Sequence, residues 1–202
     1  MIGETISQPR VFALKADASD QPSIEEMVKT VIATFGRLDV VASNSGWTRV
    51  TTFDDLDDNM DDDLWDGTYR CNVKAHFWLM HAVKPYLEAT RGSFVTTASL
   101  AGVKPGGSSL PYAISKAAQI YLVKTLSKIC APNIRVNSVS PALMLTDWGM
   151  QFDEKEQLAQ AERNKLKRLV TIQACISTQV CCHLGVNIGS GYRKCRSNAA
   201  FE

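Results

Sequence analysis

Two kinds of apolar pattern divide this chain: short unbroken apolar runs, and longer stretches in which apolar residues return every three or four positions. VFALKAD (11–17) is an apolar run closed by an Asp and predicts a buried strand. SIEEMVKTVIATFG (23–36) has helical spacing, with Met27, Val28, Val31, Ile32 and Phe35 on one face. Ser23 and Glu26 form a capping box at its start, and Gly36 stands at its stop. LDVVASN (38–44) predicts a second buried strand that runs straight into Ser45-Gly46. Strand, helix, strand in this order is a β-α-β unit, which demands parallel strands and a right-handed crossover.

The next run, DDLDDNMDDD (54–63), lacks the central Gly and closing Glu of a calcium loop. It reads as a solvated helix start, where carboxylates sit at the positive end of the dipole. The helix continues through DLWDGTYRCNVKAHFWLMHAVKPYLEA, with Leu64, Cys71, Phe77, Leu79, Met80 and Val83 as core candidates. Gly67 and Pro85 mark the places where it is expected to break or kink. Asn72, in the middle, is a poor helix-interior residue because its amide competes for backbone bonds, and simple exposure would also account for it. SFVTTAS (93–99) is a third predicted strand, followed by a helix from about Tyr112 to Cys130 and a fourth strand, IRVNSVSP (134–141). Residues 142–170 are polar and predicted helical, anchored by Trp148 and Phe152. From about Ala174 neither periodicity persists, so 174–202 is set apart from 1–173 as an irregular tail holding Cys175, Cys181, Cys182 and Cys195.

Composition narrows the picture only a little. At 202 residues the chain is expected to form one domain with a proper core, and 45% apolar with 21% charged residues is ordinary for a globular protein. A net charge of +1 offers no general attraction to nucleic acid or an anionic membrane. No apolar run approaches the roughly 20 residues that span a bilayer. The start, MIGETISQPR, lacks the apolar region of a secretory signal, so a cytoplasmic setting is expected. The Cys-rich tail has no paired C-x-x-C spacing, and no metal site is expected there despite His183.

Chemistry gathers at the strand ends. Four strands with intervening helices predict a doubly wound α/β sheet, in which a ligand lies outside the carboxyl ends of the strands. Asp17, Asn44, Ser99 and Pro141 fall there. Tyr112 and Lys116 are four residues apart, one helical turn, and share a face. A phenol beside an ammonium, with the Ser99 hydroxyl across the loop, is the outline of a proton-transfer device. Taken singly, each residue has a plain explanation: a helix-start aromatic, a solvated lysine, a strand-end hydroxyl.

In this order and spacing the chain resembles the short-chain dehydrogenase/reductase family over roughly residues 11–173. The resemblance rests on Asp17 after a strand, Asn44-Ser45-Gly46, Asn72 in a long helix, Ser99, Tyr112-x-x-x-Lys116, and Pro141-Ala142 with Thr146 downstream. It implies an NAD(P)-dependent oxidoreductase that interconverts a small secondary alcohol and a ketone by hydride transfer. Tyr112 would exchange the proton, Ser99 would hold the substrate oxygen, and Lys116 would also bind the nicotinamide ribose. Asn72 would support a water linking Lys116 to solvent. Asp17 would meet the adenine, and Asn44, Ser45 and Gly46 the adenosine ribose. Pro141, Ala142, Leu143 and Thr146 would hold the nicotinamide end. The dinucleotide is NAD or NADP, with NADP slightly favoured by the resemblance. Lys116 and an oxidised nicotinamide are expected to lower the phenol below its usual pKa of about 10. Homo-oligomerisation through the 64–90 and 112–130 helices is also implied.

Both ends depart from that pattern. The family's opening strand, glycine-rich turn and helix are missing, since Gly3 is the only glycine before Gly36, and 11–17 corresponds to the family's third strand. The expected fold is therefore an incomplete Rossmann-like doubly wound parallel sheet whose first β-α-β unit is missing. In the 3-2-1-4-5-6 order this leaves 11–17 without its neighbour and exposes an edge on 38–44. The closing Thr-Gly to Asp-Gly-Gly strand is replaced by the Cys-rich tail. These departures carry the alternative reading: a catalytically inactive relative that acts through association with a complete subunit.

Overall fold

The structure, a computed structural model, describes residues 11–184. Its frame is a three-stranded parallel sheet of order β1-β2-β3, with β1 at Val40–Ser43, β2 at Ser93–Thr97 and β3 at Arg135–Val139. Val40 pairs with Ser93, and Ser93 in turn with Arg135, so the three strands begin level with one another. The central strand is buried over its first four residues. Alternation along it sends Phe94 into a core with Met80, Val83, Leu87, Val123, Leu126 and Val136. Ser93 and Thr97 point to the opposite side, where they bond His183 and Gln179. Helices cover both faces, and the doubly wound α/β expectation holds.

Helix α1 spans Gln21–Phe35 and begins two residues before the predicted capping box. Asp20 is the cap, its carboxylate accepting from Ser23 N, while the Ser23 hydroxyl accepts from Asp17 N. Pro22 fits here because a first-turn residue needs no N–H partner within the helix. Gly36 ends the helix at φ 76, a left-handed conformation that favours glycine. Asp61, within the acidic run, caps α2 (Asp62–Tyr69) by accepting from Asp63 N and Leu64 N. Gly67 and Pro85 do not break the long helix. It passes instead through one wide π turn, Arg70–Lys74, into α3 (Ala75–Thr90), which retains Pro85. Of the predicted core residues, Leu64, Met80 and Val83 are buried, Cys71 and Leu79 are half-buried, and Phe77 is exposed. Asn72 is wholly buried, so exposure does not explain it.

Helix α4 runs from Leu110 to Cys130, starting at a Ser109 cap with Pro111 in its first turn. Of 142–170, only Glu154–Arg163 is an α-helix, α5; Trp148 is exposed and Phe152 half-buried. One expectation fails outright, and a second is revised where the structure describes it. Residues 11–17 form no strand and lie exposed, because a strand exists only by pairing and none of the described residues lies beside them to pair. The irregular tail is also revised: Ile172–Leu184 is a helix, α6, packed on β2 and β3 and tied down by Gln179 and His183. Cys195 and the rest of 185–202 lie outside the described residues. Among the described residues no helix is long and apolar enough to cross a membrane, and no three metal-ligating side chains cluster.

Candidate active site

Four elements converge at the carboxyl end of the sheet: the turn after β1, the π turn, the loop after β2 and the first turns of α4. Ser99 leaves β2 in extended conformation, and its Oγ accepts from Ala101 N at 3.2 Å. The loop then presses against α4 so closely that a Cβ on Gly102 would lie 2.5 Å from the Lys116 carbonyl carbon. That approach brings Ser99 beside Tyr112, near enough for its hydroxyl to favour the ionised phenol. One turn along α4, the buried Lys116 places Nζ 5.7 Å from the Tyr112 ring centre. Its ammonium donates to Thr97 O at 3.0 Å and Gln119 Oε1 at 2.9 Å.

Asn72 explains the π turn's place in the assembly. Its Oδ1 accepts from Trp47 N at 2.7 Å, and its Nδ2 donates to Trp47 O and Ser115 Oγ, each at 2.9 Å. Ser115 Oγ in turn donates to Tyr112 O at 2.8 Å. The side chain therefore clamps the turn after β1 onto the helix that carries Tyr112 and Lys116. Both ends of the amide are thus bonded to protein groups. Between them, Gly46 stands so near that a Cβ would lie 3.4 Å from Lys116 Nζ and 3.5 Å from Asn72 Oδ1.

The remaining candidates are less concentrated. Asn44 Oδ1 accepts from Thr97 Oγ1 at 2.5 Å, joining the ends of β1 and β2. Ser45 is half-buried between Asn44 and Gly46. Pro141 O accepts from Leu100 N at 2.9 Å, which seats the segment after β3 beside Ser99. Ala142 and Leu143 follow half-buried, and Thr146 bonds within its own turn, its Oγ1 accepting from Gly149 N at 3.4 Å. Asp17 lies on the exposed segment before α1. Its carboxylate accepts from the Ser19 hydroxyl and N–H, which with the Arg70 charge hold its pKa low. Ser99, Tyr112, Lys116, Asn72 and Gly46 come together in one cluster; Asp17 and Thr146 do not join it.

Burial pushes the Tyr112 phenol above its ordinary pKa, and Ser99 only partly offsets this. The expected lowering belongs to Lys116 together with an oxidised nicotinamide, and with Lys116 alone burial dominates. Burial pushes the Lys116 amine down to about 8, slightly opposed by Cys71. Sequence reasoning also passed over the residues that surround Lys116. Gln119 and His76 are both wholly buried polar groups. The available signal was helical spacing: Gln119 stands three residues after Lys116, and His76 four after Asn72.

Comparison with known proteins agrees with this geometry. The sequence model of the family described as short chain dehydrogenase matches residues 2–157. The chain is 33% identical over 146 residues to the granaticin polyketide synthase ketoacyl reductase 2 of Streptomyces violaceoruber, covering 72% of this chain and 58% of that protein. It is 34% identical over 154 residues to a 3-oxoacyl-(acyl-carrier-protein) reductase of Thermotoga maritima, covering 75% and 61% respectively. Among solved structures, a 7α-hydroxysteroid dehydrogenase complexed with NADH and 7-oxo glycochenodeoxycholic acid superposes with a TM-score of 0.76 at 25% identity. That alignment covers 86% of this chain and 68% of the other. The chain thus spans about three fifths of the two curated relatives' length. From its parallel sheet, its Ser99–Tyr112–Lys116 cluster and these matches, the chain belongs to the short chain dehydrogenase family.

Proposed function

We propose that this chain works in an NAD(P)-dependent oxidoreductase that interconverts a small secondary alcohol and a ketone. The observation that carries the reading is Tyr112 set beside Ser99, with the Lys116 amine 5.7 Å from the centre of the same ring. A nicotinamide dinucleotide, when bound, supplies or accepts the hydride. The residues present fit its ribose end: the described contacts use two of the three donors on the Lys116 ammonium and leave one for a ribose hydroxyl. Asn44, Ser45, Gly46, Pro141, Ala142, Leu143 and Thr146 lie on the segments after β1 and β3, and Asp17 on the segment before α1. NADP, slightly favoured by resemblance, is the first form to test, although the superposed steroid dehydrogenase holds NADH.

In this reading Ser99 Oγ holds the substrate oxygen and Tyr112 moves the proton. With its pKa raised by burial, the phenol is protonated at neutral pH and is poised as the acid that completes ketone reduction. Alcohol oxidation needs the phenolate and rises with pH into the alkaline range, whereas reduction is already at its plateau near neutrality. Ketone-dependent oxidation of NADPH or NADH, followed across that range, checks the direction. Tyr112→Phe should abolish turnover and leave the fold intact; full activity in that variant excludes Tyr112 as the proton donor. One second reading, an inactive relative that works by joining a complete subunit, draws on the outer edge of β1, which no strand among the described residues covers. Titration separates the two: saturable micromolar dinucleotide binding supports the enzyme, and no binding supports the other. Exposed Phe77 on α3 and Tyr121 and Ile129 on α4 support the homo-oligomer implied by the resemblance.

A further inference from the structure

Lys116 is held by side chains outside the group of Asn72, Ser99 and Tyr112. Gln119 accepts from its ammonium through Oε1 at 2.9 Å and donates through Nε2 to Thr97 O at 3.3 Å. The same Nε2 lies 2.9 Å from Nε2 of His76, whose Nδ1 lies 2.6 Å from Ser43 Oγ at the end of β1. All four side chains on this line are buried.

Donor and acceptor chemistry gives the line a direction. An ammonium has no lone pair, so Gln119 must turn its oxygen to Lys116 and its amide nitrogen to His76. His76 must then accept at Nε2, which puts its proton on Nδ1, from where it donates to Ser43 Oγ. A second proton on the ring would force the Gln119 amide to flip and set an N–H against the Lys116 ammonium. Burial first, and the Lys116 charge second, keep the ring neutral. We propose that Gln119, and His76 through it, are positioning residues that hold the Lys116 ammonium at the end of β2 with one N–H left for a ligand.

This rests on the oxidoreductase reading for its purpose but not for its test. The titration of Lys116 Nζ can be followed by NMR in the full chain labelled with 13C at lysine Cε, without cofactor or turnover. Other groups face that amine as well: Tyr112 on α4, the Cys71 thiol on the π turn, His76 on α3, Gly46 after β1 and the Thr97 carbonyl on β2. Only Gln119 and His76 are varied. Gln119→Glu puts a carboxylate on the ammonium and should raise the Lys116 midpoint by at least one pH unit, a tenfold gain in proton affinity. Gln119→Leu should lower it, and His76→Leu should shift it the same way by a smaller amount. The double Leu variant should go no further than Gln119→Leu alone, because His76 acts through Gln119.

If Gln119→Leu does not fold, the isosteric Gln119→Glu still decides. A Lys116 midpoint unmoved in Gln119→Glu overturns the proposal, and so does a fully additive double variant. Failure of the wild-type chain to bind dinucleotide would remove the functional reading while leaving this titration intact. Where turnover is measurable, the pH profile of kcat/KM should move with the Lys116 midpoint, a shift that loss of packing alone would not produce.

Discussion

His76 lies wholly buried between Ser43 and Gln119, and burial pushes its pKa from the usual 6.5 down to about 3. Its consequence for stability has a definite sign. The folded chain refuses a proton that the unfolded chain accepts below pH 6.5, so stability falls as pH drops through 6.5 toward 3. Between pH 7 and pH 5 this one ring should remove about 2 kcal/mol. Urea unfolding at the two pH values checks it: His76→Gln should shed about that much of the wild-type difference. An equal loss in both proteins would show that the ring is not the source. Lys116 works in the same sense at the other end of the scale, its pKa lowered by burial to about 8 from 10.5. The wild type should therefore gain about 3 kcal/mol relative to Lys116→Met as pH rises from below 8 to above 10.5. Neither shift was legible in the sequence. A histidine and a lysine on helices look like surface residues until the fold buries them.

At the scale of elements, one π turn places the side chain that ties the turn after β1 to α4. An ordinary α-helix through Arg70–Lys74 would have each N–H reach back four residues; here the Ala75 N–H reaches Arg70 O, five back. The wider turn carries Asn72, whose amide holds both backbone groups of Trp47. The Trp47 ring in turn lies on Gly67, where a Cβ would meet ring carbon Cζ3 at 2.8 Å. This makes Gly67→Ala a contest between two magnitudes. Replacing an interior helical glycine should gain up to about 1 kcal/mol in propensity. Forcing a methyl into a packed ring costs about 1–3 kcal/mol, so the variant should lose roughly 1 kcal/mol net. In a Trp47→Ala background the same change should become neutral or stabilising, and a thermodynamic cycle by urea unfolding reads the coupling. Gly67 and Pro85 are expected breaks, and the helix accommodates both. Pro85 lies within α3 without ending it, and Gly67 makes room for a ring rather than a kink.

For the whole molecule, what could be read beforehand was whatever a segment decides by itself. The three paired strands and the helices beginning near Asp20, Asp61 and Ser109 follow from local apolar runs, caps and turn residues. What could not be read was whatever needs a partner. VFALKAD has a strand's composition, yet without a pairing neighbour among the described residues it forms no strand and stays exposed. Helix α6 has little periodicity and is fixed by polar contacts of Gln179 and His183 with β2. The same dependence on partners leaves β1 at the sheet margin, with Val40 46% exposed and, among the described residues, no strand on its outer side. An open edge with an exposed β-branched residue is a template for pairing with another chain, and natural sheets guard such edges with lysine. Val40→Lys should therefore slow concentration-dependent aggregation severalfold by light scattering. Its cost in folding stability should stay within about 0.5 kcal/mol, as for other exposed positions. Association through α3 and α4 would be untouched by this change, so a dimer that persists while aggregation falls assigns the two events to different surfaces. Aggregation at the wild-type rate would mean that the β1 edge is not where these chains meet.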